Sequence, residues 1–573
     1  MKSDGASIPA MERSMNKRRL AAVLAAAALV TAGAACRQGG TMADMMLTNA
    51  SVWTVDPDKP WAEAVAVRDG MIVRVGSAKE VRALAGPATE TIDLKGGLLL
   101  PGFIDSHVHF LMGGFALSRV QLRDVATREE FRARIAAKAR TLEPGEWILN
   151  GDWDHQSFTP PRLPAKEWID DVTPEHPVFV TRFDGHMALA NSSALKRAGI
   201  NRATRAPAGG EILRDPSTGE PTGILKEAAM DLVAGLIPEP SLKERIGAAE
   251  AALRLAAERG VTSIHDMSDA GSFEAYQELW RRNALTARLS VYIPITEVDL
   301  LVRLRLRGSF GDDRLKLAGL KGFVDGSLGS ATAYFFEPYS DDPSTSGLLN
   351  AQMFPEGIME KRIIEADRAG LQVAVHAIGD RANALLLDIY QRAMAANGPR
   401  DRRWRIEHAQ HLRPEDIVRM GRIGVIGSVQ PYHAVDDGRW AERKIGRERC
   451  RTTYPFRSLL DSGVTLAFGS DWTVAPLDPL AGIQAAVTRA TLDGRNPGGW
   501  IPEQRISVEE AIRGFTMGGA YAEFGEDVKG SIKEGKLADF VVLDRNILKE
   551  SSERIKDARV VMTILGGKAV FGN

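Results

Sequence analysis

Between residues 103 and 470 the chain repeats one pattern eight times, a short apolar run followed by sequence of amphipathic helical character. The runs are Phe103 to His109, Val261 to Asp266, Arg288 to Ile293, Leu317 to Val324, Gln372 to His376, Arg405 to His408, Gly424 to Val429 and Thr465 to Ser470. Apolar strands separated by helices belong to a parallel sheet whose crossovers cover it. Eight is the number that closes such a sheet on itself, so the expected fold is α/β, a (β/α)8 TIM barrel. One gap breaks the rhythm. From Leu111 to Gly260 there is far more chain than a crossover needs, which predicts an inserted subdomain over about 111–259, after the first strand and near the barrel mouth.

At 573 residues the chain exceeds a single ordinary core, and both of its ends carry strand signals of their own. Met45 to Val55, Ala64 to Arg68, Met71 to Val75 and Thr91 to Leu100 are β-branched or alternating runs, with Asp69-Gly70 as a hairpin turn between two of them. Ala538 to Leu543 and Val560 to Leu565 are similar, and Gly566-Gly567 turns the chain toward Ala569-Val570-Phe571. Residues 43–100 and 531–573 are therefore expected to build one small β-sandwich together, with the barrel, 101–530, inserted between them. Ahead of it, Lys17-Arg18-Arg19 precedes the apolar run Leu20 to Val30, which is too short to span a bilayer comfortably and reads as a secretory signal. Gly33-Ala34-Ala35-Cys36 resembles the cleavage box of a bacterial lipoprotein. The expectation is an exported protein, periplasmic or anchored in a membrane by lipid on Cys36, with 1–36 as the signal; plain signal cleavage is the alternative.

Lys and Arg total 73 against 74 Asp and Glu, so no global field would draw nucleic acid or an anionic membrane surface. A small-molecule partner fits better. With only Cys36 and Cys450 present, a disulfide framework or a thiolate metal site is excluded, and any metal must sit on His and carboxylates.

The histidines supply such a site. His107 and His109 stand at i and i+2 of the first strand, which sends both imidazoles off one face. His376 ends the fifth strand, His408 ends the sixth, and Asp471 follows the eighth. All are C-terminal strand ends, where barrels of this kind place their chemistry. Singly each is ambiguous; jointly, four imidazoles and a carboxylate suit Zn2+ or a similar divalent ion.

The sequence resembles the amidohydrolase superfamily, and within it the amidohydrolase family 3 branch that includes N-substituted formamide deformylases. The likeness is carried by Asn49-Ala50, the run Pro101 to His109, Asn191-Ser192-Ser193-Ala194-Leu195, Pro221-Thr222-Gly223 and Lys321 to Ser327. It continues through His376-Ala377-Ile378-Gly379-Asp380, Glu407-His408-Ala409-Gln410, Gln430-Pro431-Tyr432-His433, Gly469-Ser470-Asp471-Trp472 and Gly535-Lys536-Leu537-Ala538-Asp539-Phe540-Val541. The resemblance implies one or two divalent ions, with His107, His109 and Asp471 on the more buried one and His376 and His408 on the more exposed one. Lys321 falls where members of the superfamily carry a carboxylated lysine bridging two metals; a structural or substrate-contacting lysine is the alternative.

The expected reaction is hydrolysis of a C–N bond, amide or formamide-like, in a small molecule. A divalent ion would supply an acidified water and a polarised carbonyl, and Asp471 would take the water's proton and pass it to the departing amine. The same machinery on an ester, lactone or cyclic amide is the runner-up. A lipid-anchored binding protein without catalysis is the reading from another class. His433 could polarise the carbonyl, His186 in Asp184-Gly185-His186 could meet substrate, and Trp153, His265 and the Phe335-Phe336 pair are further candidates for the pocket, each weighed against loop or core packing. Asp325 and Gly326 are expected to shape their loop, and His155, His176 and His411 to be surface or structural.

Overall fold

The structure is a computed structural model that describes residues 42–572. The signal segment and Cys36 lie outside the described residues. Among those described, no helix is long and apolar enough to cross a membrane.

Eight parallel strands form the central sheet: β1 Phe103–Val108, β2 Val261–Met267, β3 Arg288–Pro294, β4 Leu315–Phe323, β5 Gln372–Ala377, β6 Arg405–His408, β7 Ile426–Val429 and β8 Leu466–Phe468. Their spatial order is the order of sequence, and every neighbouring pair in the path is parallel. The two edge strands meet beyond their ladders. The Asp471 amide donates to the His107 carbonyl at 2.7 Å and the His109 amide to the Trp472 carbonyl at 3.0 Å. Gly469 makes this approach possible, because a Cβ there would lie 2.5 Å from the His107 backbone nitrogen. The result is a nearly closed TIM barrel.

The crossovers explain themselves locally. The helix Leu242–Glu258 starts at a capping box in which Ser241 and Glu244 satisfy each other's end of the first turn. It buries Ala248, Ala249, Ala252, Leu253 and Ala256, whose i, i+3, i+4 spacing makes one apolar stripe against the barrel. Gly260, in the left-handed region at φ +75°, then turns the chain into β2.

The chain ends contribute two sheets. One orders Met71–Gly76, Ala64–Arg68, Met45–Thr48 and Glu90–Asp93; the other orders Lys568–Phe571, Val560–Leu565, Phe540–Leu543, Leu98–Pro101, Ser51–Trp53 and Trp61–Ala62. Leu47, Val65 and Ile72 from the first share a core with Leu99, Phe540 and Ile564 from the second. Two runs that are continuous in the sequence are broken here. Asn49 at φ +53°, and Lys95 and Gly96 at +52° and +83°, take left-handed corners by which the chain leaves one sheet for the other.

Between β1 and β2 lies a third sheet, ordered Gly210–Arg214, Pro221–Glu227, Met187–Ala190, Val178–Arg182, Ile148–Trp153 and Val120–Gln121. It has cores of its own, one around Phe131, Trp153 and Trp168. Trp153, a candidate pocket residue in the sequence, belongs to that core: it is fully buried and its indole N–H donates to the Val180 carbonyl at 2.8 Å. A large side chain near the end of a strand is as readily consumed by its own sheet's packing as by a ligand.

Candidate metal centre

His107, at the end of β1, lies fully buried with its Nε2 3.5 Å from Asp471 Oδ1, and His109 Nε2 is at the same distance from that oxygen. His408, the last residue of β6, brings its ring centroid to 4.9 Å from His107 and its Nδ1 to 3.9 Å from Asp471 Oδ2. One ligand atom from each of His107, His408 and Asp471 lies within 4.8 Å of the others. His109 is the first residue past β1 and caps the helix Phe110–Ala116, so it sits at the rim while its partner is enclosed. His376, in β5, meets His408 edge-on with centroids 4.5 Å apart, but its Nε2 is directed to the Gly326 carbonyl at 3.1 Å. Lys321 of β4 points inward, its Nζ 3.2 Å from His107 Nε2.

The hydrogen bonds fix how these rings present themselves. His107 Nδ1 bonds to Glu407, and His408 Nδ1 pairs with Gln430 Oε1 at 2.8 Å. With Nδ1–H donated to an oxygen in each case, Nε2 carries the lone pair, which is the form that ligates a metal; in His107 that lone pair accepts from Lys321 Nζ. Burial keeps both rings neutral: it pushes His107 well below its ordinary range, helped by Lys321, and does the same to His408 with His376 adding to it. Burial lowers Lys321 toward the neutral amine, and raises the Asp471 carboxyl against the pull of Lys321. Asp471 Oδ1 is buried with no hydrogen-bond partner. An acceptor of that kind is costly unless something else satisfies it. The donor set, neutral imidazoles with a carboxylate and no sulfur, fits a divalent ion of the zinc type.

Loops of the inserted region and of the β7 end cover this cluster. His186 and His433 line the same small cavity as His376, His408 and Asp471. Burial opposes charge on His186, but Glu227 at 3.0 Å outweighs it and raises the imidazole to about 9. His433 goes the other way, pushed down to about 3 by burial and by Arg123, and its Nε2 is buried without a partner. His265 is not at this mouth. It lies two residues short of the end of β2, one layer deeper, where its Nδ1 meets Arg405 at 2.9 Å and its Nε2 faces Glu523 at 3.3 Å. The period of two points His265 and Met267 to the same side, and only Met267 reaches a cavity at the mouth. Phe335 packs against His411 inside, and Phe336 is half-exposed; neither lines that cavity. Asp325 shapes its loop, accepting from the Tyr334, Ile378 and Gly379 amides. His155, His176 and His411 are all buried.

Glu407 and Arg405, which the sequence marked only as parts of a motif and a strand, form a buried ion pair beneath the site. Arg405 donates from Nε to Glu407 Oε1 at 2.7 Å and from Nη2 to Oε2 at 3.1 Å, and both are fully buried. The signal was present: Arg-x-Glu inside a four-residue strand with no exposed position is a pair that must be satisfied internally.

Fold and cluster together define a parallel eight-stranded barrel with a candidate divalent-metal centre at the C-terminal ends of its strands. The chain belongs to the amidohydrolase family, whose sequence profile matches residues 90–571. It is 42% identical over 545 residues to Protein LONG AFTER FAR-RED 3 of Arabidopsis thaliana, covering 93% of this chain and 92% of that one. It is 29% identical over 547 residues to an N-substituted formamide deformylase of Arthrobacter pascens, covering 92% and 98%. Among solved structures, an uncharacterized metal-dependent hydrolase from Pyrococcus furiosus superposes with a TM-score of 0.69 at 32% identity, over 88% of this chain and 100% of that one.

Proposed function

We propose that the protein is a metal-dependent hydrolase that cleaves an amide-type C–N bond, formamide-like, in a small molecule. The observation that carries this reading is the unsatisfied Asp471 Oδ1, 3.5 Å from both His107 Nε2 and His109 Nε2. His107, His109 and Asp471 would hold one divalent ion, zinc by donor type; His408, expected on the second ion, would join them because its ligand atom lies beside those of His107 and Asp471, and His376 with a carboxylated Lys321 would extend the site to two. Bound there, the ion supplies a water of lowered pKa and Lewis acidity toward a carbonyl. The protein's own part is proton traffic and placement. Asp471 takes the proton of the attacking water and returns it to the leaving nitrogen, which departs poorly unless protonated. Glu407 and Gln430 orient the two ligand rings. His186 and His433 meet the substrate from the covering loops. An exported location, with an anchor at Cys36, belongs to the same proposal.

The likeness to a formamide deformylase supports the bond type, and the greater identity to a plant protein whose name states no reaction leaves an ester or cyclic amide as the second reading. Metal-replete protein should hydrolyse N-substituted formamides in preference to esters that share the formyl group. Asp471→Asn should keep most of its metal and lose turnover by about 10^2-fold or more; a variant with wild-type kcat would remove the proton-carrying role.

A further inference from the structure

A cavity of about 460 Å3 opens from His109 and runs outward between the barrel loops and the inserted region. Its walls are apolar where Leu111, Phe115, Phe179 and Met267 meet it. It then joins a second, wider cavity, and Arg119 lines both. Arg119 is held in place: one Nη donates to Asn150 Oδ1 at 2.9 Å, and the guanidinium lies 4.7 Å from the Phe115 ring centroid. Asn150 itself takes the left-handed region at φ +67° within the strand Ile148–Trp153, next to a bulge in its pairing with Val178–Arg182. Strand irregularities of this kind commonly re-aim a side chain.

Among the described residues the acidic groups near Arg119 make their direct contacts elsewhere. Glu239 and Asp269 line the same cavity, but both engage Arg245, at 2.6 and 3.6 Å. Glu244 attracts Arg119 from the neighbouring helix without forming an ion pair with it, and its carboxylate accepts from the Ser241 amide and hydroxyl at 2.8 and 2.6 Å. No carboxylate among the described residues ion-pairs with Arg119. A partly buried cation fixed by a neutral amide, beside an aromatic face and past an apolar stretch, is arranged to receive an anion.

We infer that the substrate carries a carboxylate separated from the scissile bond by an apolar segment, and that Arg119 selects it. This rests on the hydrolytic reading above and adds the shape and charge of the leaving portion. The test uses metal-loaded full-length protein and two probes, 6-formamidohexanoate and its uncharged isostere 6-formamidohexanamide, in both turnover and equilibrium calorimetry. The acid is expected to have at least a tenfold advantage in kcat/KM and in affinity, falling with added salt. Arg119→Met should abolish the advantage, Arg119→Lys should keep part of it, and Asn150→Ala should weaken it by releasing the guanidinium. Turnover of neither probe, with Arg119-dependent preference for binding the acid, supports the cleft assignment and overturns formamide hydrolysis instead. Equal handling of both probes by the wild type overturns the inference without touching the reaction. So does a preference that survives in Arg119→Met, because the carboxylate would then be taken at the metal centre. If Arg119→Met fails to fold, Arg119→Lys and Asn150→Ala carry the test, and an undiminished preference for the acid in both overturns the inference.

Discussion

Replacing Glu407 by Gln isolates the group that ties the metal centre to the barrel interior. The Glu407 carboxylate is fully buried, bonds His107 Nδ1, and takes two hydrogen bonds from Arg405. The substitution keeps the volume and one acceptor oxygen but removes the charge. Arg405 would retain His265 at 2.9 Å, Ser428 at 2.8 Å and the Ser106 carbonyl, yet no carboxylate. Removing one partner of a buried pair costs about 3–5 kcal/mol, and the retained contacts place this case near the lower figure, about 3 kcal/mol. The second effect is on the ligand. Without an anionic acceptor on Nδ1–H, His107 becomes a weaker base and a less oriented one, which lowers metal affinity by about 10–100-fold. Urea unfolding of the metal-free protein reads the first effect, and competition with a chelator of known affinity reads the second. A Glu407→Gln protein that holds zinc as tightly as the wild type would refute the orienting role, and one of unchanged stability would refute the buried pair.

Two further predictions concern the scaffold. Burial pushes the Asp154 carboxyl up, but Arg182, 3.0 Å away, and Arg123 outweigh it and hold it at about 2 against an ordinary 3.8. A depressed carboxylate stabilises fully above its unfolded pKa, and the benefit is lost as pH falls through the folded value. Asp154→Asn should therefore be about 2 kcal/mol less stable at neutral pH, with the gap closing between about pH 4 and pH 2; a gap that does not change with pH in urea titrations contradicts the pairing. At the barrel seam, a Cβ on residue 469 would stand 2.9 Å from both the His107 Cβ and its carbonyl oxygen. Gly469→Ala should lower stability by about 1–3 kcal/mol and reduce bound zinc per chain, read by melting temperature and elemental analysis; an unaltered melting temperature would show that the seam has slack.

Much of the architecture was legible because it rests on local pattern. Each barrel strand is a short apolar run that can be buried on both sides, and each was recognisable without knowledge of its neighbours. Asp69-Gly70 takes its tight turn, at φ +51° and +75°, for the same local reason. The ligand candidates were legible too, since strand ends are local features and His107, His376, His408 and Asp471 all fall on them. What failed was depth. His265 stands on a strand just as His376 does, but its place along β2 puts it one layer below the mouth, among Arg405 and Glu523. Trp153 closes a strand of the insertion, whose own core absorbs it.

The sequence by itself determined that this chain makes a parallel barrel and that histidines and an aspartate gather at one end of it. Periodicity and strand ends are properties of neighbouring residues, so they survive being read in one dimension. Tertiary structure alone decided which of those side chains meet. Asp471 reaches His107 and His109 because the last strand closes on the first across more than 360 residues, with Gly469 thin enough to allow it. It also decided how the ligand rings are oriented, through Glu407 and Gln430, and that Arg119 is held by the Asn150 amide and not by a direct ion pair. Distances and unpaired charges depend on three-dimensional closure, which no local pattern encodes.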